Sequence, residues 1–253
     1  ASISKMIILQ SMICLDVSNS MNVRDVGNES RLDVSKRLLN GIINKLKGQK
    51  IGVCLFAADA FIQLPPTTDY ESVKYLLSNV QTTFFSRQGT NVTKALDMAM
   101  NVFSKGELPK SILLITDGEN HINADKSVYG LIKNDGVLLY SMGIGTSTGG
   151  PVPDVINNTF KMDENGAMVI SKVNADYVNN LSKACDGKVM LIDSAFPDQN
   201  PILTEINLRS KGYFRNLKIE VKQALLVYPV FIGFVFFILF LLTPGLKIVK
   251  NEV

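Results

Sequence analysis

The sequence predicts an α/β domain, a doubly wound and mostly parallel sheet with one antiparallel edge hairpin, followed by a C-terminal transmembrane helix. Three observations carry that prediction. Apolar runs of strand length alternate with amphipathic stretches of helical period through residues 1–195, the pattern of a parallel sheet covered on both faces. Two strand-like runs, 51–56 and 61–64, are separated only by Ala57-Ala58-Asp59-Ala60, too few residues for a crossover, so they pair antiparallel. Residues 224–242 read ALLVYPVFIGFVFFILFLL with no charge. At roughly 1.5 Å per residue this run reaches about 29 Å, close to a bilayer's hydrocarbon core.

The elements follow in order. The apolar run 6–15 is the first strand, and Ser30 with Asp33 three residues on starts a helix. Leu38, Leu39, Ile42, Ile43 and Leu46 recur at helical spacing before Gly48 ends it. After the hairpin come helices at 69–79 and 91–103, a buried strand at 112–116, a helix near 125–134 and a strand at 137–142. A small hairpin at 160–170 turns at Asn165-Gly166. Helix 174–185 and strand 188–192 close the domain at 195. Residues 196–222 form a polar, helical connector, 223–243 the membrane helix and 244–253 a short tail.

Composition bounds the function. The 253 residues are 46% hydrophobic and 19% charged, with a mean hydropathy of +0.17. The excess is local to the 224–242 run, where nothing but a ten-residue tail remains downstream to bury it. A net charge of +3, with no basic stripe interleaved with aromatics, excludes a nucleic-acid surface. Cys14 and Cys54 sit in apolar runs as small hydrophobes, and Cys185 follows a helix. Their spacing gives neither a disulfide framework nor a zinc site. Lys5 and the apolar residues after it imitate a signal peptide, but the run continues straight into Asp16 and reads as a core strand. Beginning at Ala1, the chain is expected to be truncated or processed upstream. Lys211, Arg215, Lys218 and Lys222 precede the apolar run and meet lipid headgroups, against Lys247 and Lys250 after it. The positive-inside tendency leans toward a cytoplasmic domain, and both orientations stay open.

The chemistry gathers at strand ends. Asp16-Val17-Ser18-Asn19-Ser20 follows the first apolar run, so one carboxylate and two hydroxyls at i, i+2 and i+4 emerge together. If the turn curls inward, these short oxygen side chains converge on one point. Hard oxygen donors without sulfur or imidazole suit Mg²⁺ or Mn²⁺. Gln88-Gly89-Thr90-Asn91 and Thr116-Asp117-Gly118-Glu119-Asn120 supply matching partners. Each Ser or Thr alone reads as turn and cap chemistry; together at strand ends they read as a metal site. The glycine-rich stretch 143–150 has its third glycine one place off a dinucleotide loop, with Pro151 and Pro153 after it, and reads as a flexible loop. His121, the sole histidine, reads as a solvated loop residue.

Asp-x-Ser-x-Ser, a distant Thr and a distant Thr-Asp-Gly resemble the metal-ion-dependent adhesion site (MIDAS) of von Willebrand factor A (vWA) domains. DVSNSM at 16–21, IGVCLFAADAFIQLPPTTDY at 51–70, QGTNV at 88–92 and LLITDGENH at 113–121 together resemble the Bat aerotolerance family of bacterial membrane-anchored vWA proteins, BatB-like. The resemblance spans about 7–242. It implies the Rossmann-like vWA fold, with Ser18, Ser20 and Thr90 as hydroxyl ligands of Mg²⁺ or Mn²⁺. Asp16 and Asp117 are its acidic members, acting through bound water. Water then fills the ion's open position until a partner's carboxylate displaces it. The resemblance further implies a protein-interaction module at the bacterial inner membrane, working in stress tolerance or envelope maintenance, with sibling vWA proteins and a MoxR-type AAA+ ATPase as partners. An outward-facing metal-dependent adhesin and a Mg²⁺-dependent hydrolase are the alternatives, the latter lacking a general base beyond the ligands.

Overall fold

The computed structural model describes residues 9–103, 109–119, 127–155, 157–212 and 227–242. One compact unit comprises residues 7–213, and residues 1–6 with 214–253 form a second. His121 and most of the basic cluster before the apolar run lie outside the described residues.

In the larger unit, β1 (Gln10–Asp16), β2 (Lys50–Phe56), β3 (Ala60–Thr67), β4 (Lys110–Thr116), β5 (Leu138–Ile144) and β10 (Lys188–Ile192) form one sheet in the order β10-β5-β4-β1-β2-β3. All pairings are parallel except β2–β3, as the short connection requires. The strand period splits the interior in two. Ile13 and Leu15 of β1 point to one face, packing with Leu38, Leu39, Ile42 and Ile43 of α1 (Arg31–Lys45) and Val73 and Leu77 of α2 (Tyr70–Asn79). Met12 and Cys14 point to the other, toward Ala95, Leu96 and Ala99 of α3 (Val92–Val102), Ile132 of α4 (Ser127–Asn134) and Leu181 of α5 (Ala175–Ala184). Every residue of β1 is buried, and each large aliphatic side chain so buried contributes roughly 1.5–3 kcal/mol.

The two sheet edges differ. β3 carries Pro65 and Pro66 where its register against β2 shifts, with Ile51 opposite Thr67 but Val53 opposite Leu64. Each proline lacks a ladder donor, so both belong on an outer strand at a bulge. β10 has neither device, and Val189 and Leu191 are exposed on it.

Three expectations need correction. The glycine-rich stretch is a loop over residues 145–149, but its ends are strand: Gly143 and Ile144 belong to β5 and Gly150 opens β6 (Gly150–Pro151), which pairs with β9 (Ile170–Ser171), while β7 (Pro153–Asp154) pairs with β8 (Thr159–Phe160). Prolines fit because short strands at an edge need donors on one side only. The expected turn is present, with Gly166 at φ 77° and Met162 facing Met168. The resulting hairpin exposes Phe160, Met162, Met168 and Ile170 at alternate positions. In the expected polar connector, α6 (Asn200–Gly212) buries Ile202, Leu203 and Ile206 in the core. In the smaller unit, α7 (Val227–Leu242) has 16 residues, about 24 Å. Among the described residues, no helix is long and apolar enough to cross a membrane. Residues 223–226 and 243 of the expected span lie outside them.

Candidate metal centre

β1 ends at Asp16 and β4 at Thr116, with Asp117 next, so two carboxylates emerge from adjacent parallel strands at their carboxyl ends, where ligand sites of α/β sheets lie. Thr116 Oγ1 donates to Asp16 Oδ2 at 2.7 Å, and the Ser18 amide donates to Asp16 Oδ1 at 2.9 Å. That Asx-type turn curls the chain inward into a single 3₁₀ turn, Asn19–Asn22. It brings Ser18 Oγ within 3.0 Å of Ser20 Oγ, and the Ser20 hydroxyl bonds the Asp117 carboxylate. After β4 the chain turns at Gly118, φ +78°, where a Cβ would meet the Asn174 carbonyl at 2.7 Å. The Glu119 amide donates to Asp117 Oδ1 at 3.1 Å.

Thr90 arrives from a different loop, strapped to the first. The Asn91 amide donates to the Ala57 carbonyl at the β2–β3 tip, 2.8 Å. Gln88 Oε1 accepts from the Asn19 amide at 2.9 Å, while its Nε2 donates to the Phe85 carbonyl at 2.6 Å. Asn22 Nδ2 donates to Thr82 Oγ1 at 2.7 Å. Thr90 is 1% exposed, and its Oγ1 has no hydrogen-bond partner among the described residues. Leaving a buried hydroxyl unmatched costs about 1–3 kcal/mol.

The electrostatics are those of an under-compensated acid pair. Burial, then the neighbouring Asp117 charge, push the Asp16 carboxyl up to about 7, against the bonds from Ser18 and Thr116. Burial likewise raises Asp117, opposed by Arg31 and the Ser20 hydroxyl. Arg31 is fully buried and pairs with Asp117 Oδ2 at 3.0 Å and Asp25 Oδ2 at 2.8 Å. Burial works against both Asp25 and Arg31, but their pairing outweighs it: Asp25 is held below the usual carboxylate range and Arg31 above its ordinary value.

All five residues singled out in the sequence are buried at this edge, and contacts join Asp16, Ser18, Ser20 and Asp117 directly. Among the described residues, no three or more His, Cys, Asp or Glu are grouped to hold a metal. The donor set is instead two carboxylates and three hydroxyls, which fits a hard divalent cation. Sequence reasoning missed Arg31 and Asp25, and it named Gln88 within the Thr90 segment without its role as a strap to Asn19. A signal existed for Arg31: a cation at the first residue of α1 opposes the helix dipole and calls for an acidic neighbour.

The family profile for the von Willebrand factor type A domain matches residues 11–119. BatB from Bacteroides thetaiotaomicron has the same architecture, with a TM-score of 0.75 at 32% identity over 80% of this chain and 99% of that one. The chain belongs to the Bat family of vWA proteins. An aerotolerance-related membrane protein from Bacteroides fragilis, solved with multiple mutations to serines, resembles this Bat chain nearly as well. Its TM-score is 0.72 at 31% identity, over 81% and 99% of the two chains. Proximal thread matrix protein 1 from the mussel byssus, solved with a zinc-occupied MIDAS motif, shares the fold at a TM-score of 0.55. Its identity is 18%, over 81% of the Bat chain and 46% of its own. The Bat chain spans about half the length of the curated relatives it matches, 40% of one and 55% of the other.

Proposed function

We propose that this Bat-family chain is a membrane-tethered interaction module that holds a partner's carboxylate through Mg²⁺ or Mn²⁺. Ser18, Ser20 and Thr90 would bind the ion directly, with Asp16 and Asp117 behind them. The observation that carries this reading is the pair of fully buried carboxylates with their charge only partly balanced, set beside short hydroxyls. Each carboxylate oxygen of Asp16 already accepts a protein hydrogen bond, as does each of Asp117. That favours the hydroxyls as inner ligands and the acids one shell out, acting through water. An ion so held would supply an electrophile able to take a partner's carboxylate. The fold relative with zinc in its MIDAS motif supports a metal at this place. The all-oxygen set here suits Mg²⁺ or Mn²⁺ better than zinc.

The aerotolerance-related relative supports a stress-tolerance or envelope-maintenance role. We place the working complex at the bacterial inner membrane, with sibling vWA proteins and a MoxR-type AAA+ ATPase. The role is binding rather than catalysis. Cross-linking in native membranes should recover such a partner, and the yield should collapse in EDTA. Thr90→Ala should lower the yield and leave thermal stability unchanged or slightly higher, since it removes a hydroxyl with no protein partner. Recovery indifferent to both EDTA and Thr90→Ala would move the interaction to another surface.

The anchor is the uncharged run 224–242, whose described part is a helix with Phe231, Phe234, Phe236 and Phe237 all exposed. A helix apolar all round belongs in a membrane or a core. Deleting residues 224–253 should release the chain to the soluble fraction. If the shortened chain still resists carbonate extraction, the anchor lies elsewhere.

A further inference from the structure

Arg31 uses all five of its N–H donors inside the protein. Nε and Nη2 hold the two oxygens of Asp25 at 2.9 and 2.8 Å. Nη1 holds Asp117 Oδ2 at 3.0 Å and Ser171 Oγ at 2.7 Å, and Nη2 holds the Ser171 carbonyl at 3.1 Å. Asp25 is fixed in turn by the Thr146 amide and hydroxyl, at 2.8 and 3.0 Å. Gly145, φ +130°, leaves the guanidinium its space: a Cβ there would meet Arg31 Nε at 2.8 Å. One buried side chain therefore joins a carboxylate of the candidate metal centre to the root of the 150–171 hairpin. Backbone contacts run alongside it, from the Asn174 amide to the Asp117 carbonyl at 2.8 Å and from the Lys172 amide to Glu119 Oε1 at 3.2 Å. Ile170, next to Ser171, belongs to the exposed apolar face with Phe160, Met162 and Met168.

We propose that Arg31 is a positioning residue that makes the 150–171 hairpin respond to the ion, by sharing Asp117 with the cation and fixing Ser171 with the same guanidinium. The inference rests on the metal reading above. A dication and a guanidinium compete for the charge of one carboxylate. With the charge of Asp117 shared with a cation held through water, Arg31 would bear more strongly on Asp25 and Ser171, and the hairpin root would tighten. The apolar face is carried on that root, so its presentation follows ion occupancy. Linkage makes the effect reciprocal: a partner pressing on the hairpin changes ion affinity by the same factor.

The test uses the full chain in detergent with Mn²⁺ alone, combining calorimetry with amide hydrogen exchange. In the wild type, saturating Mn²⁺ should slow exchange in peptides covering 150–171 by about fivefold beyond the slowing in α2. Arg31→Lys, which loses the planar fork, should abolish that excess. Ser171→Ala removes only an acceptor at the hairpin root; it should bind Mn²⁺ within about threefold of wild type and at least halve the excess. Should Arg31→Lys fail to fold, Ser171→Ala decides alone. Binding of Mn²⁺ with hairpin slowing no greater than that of α2, or unchanged in Ser171→Ala, overturns the inference and leaves the metal site standing. Absence of Mn²⁺ binding to the wild type overturns both.

Discussion

Asp16→Asn is expected to weaken Mn²⁺ or Mg²⁺ binding by about 100-fold and to remove a pH dependence from the ion-free protein. The amide is the right replacement because Asp16 is wholly buried between two donors, the Ser18 amide and the Thr116 hydroxyl. Alanine would strand both. The pH effect has a definite sign. Without metal the folded Asp16 carboxyl sits at about 7, against 3.8 for an unperturbed group. Between those values the folded state keeps a proton that the unfolded chain has released. Stability therefore falls as pH rises from about 4 to about 7 and is level above, a change of roughly 4 kcal/mol from this group. Ion-free wild type should melt lower at pH 8 than at pH 5 by more than the Asp16→Asn variant does. Saturating Mg²⁺ should recover the loss at pH 8 and add little at pH 5, where protons hold the site. Parallel pH profiles in the two proteins, or equal Mn²⁺ affinities, would remove Asp16 from the site.

Arg31→Met is expected to cost about 3–5 kcal/mol of unfolding free energy in the ion-free protein, because it leaves Asp25 and Asp117 facing each other without a counter-charge in a closed interior. Urea titration measures it. Adding Asp25→Asn to the same chain should recover part of the loss, since the charge then left unpaired is halved. A cost below about 1 kcal/mol would mean that the variant solvates or neutralises both acids freely, and that the guanidinium organises nothing.

How much of this was legible without coordinates depends on whether the cause was local. Strand runs such as 112–116 and the four-residue link 57–60 specify the sheet by themselves, because burial on both faces and short connections admit few arrangements. Asp16, Ser18 and Ser20 were legible because one turn gathers them. Thr90 was legible only as part of a family pattern, since its loop reaches the site through Gln88 and Asn91, and nothing in their neighbourhood announces that contact. Arg31 looked like one more residue of an amphipathic helix. Besides Asp25, six positions before it, its partners are 86 and 140 positions away, and such pairings leave no periodic trace. The 150–154 strands were hidden by prolines, which read as breakers wherever a strand's outer side is not known to be free. Ile202, Leu203 and Ile206 have helical spacing, but polar neighbours diluted it.

The unlike edges of the sheet set a limit on self-association. Growth by strand addition requires each copy to present two usable borders, one to receive and one to offer. Here Pro65 and Pro66 interrupt the β3 border, which leaves β10, among the described residues of the six-stranded sheet, as the border without a proline. Two copies meeting there would be joined about a two-fold axis, with only the proline-interrupted β3 borders left outermost. Pairing through β10 therefore favours a closed pair over a growing fibre, because the prolines of β3 disfavour addition at the opposite border.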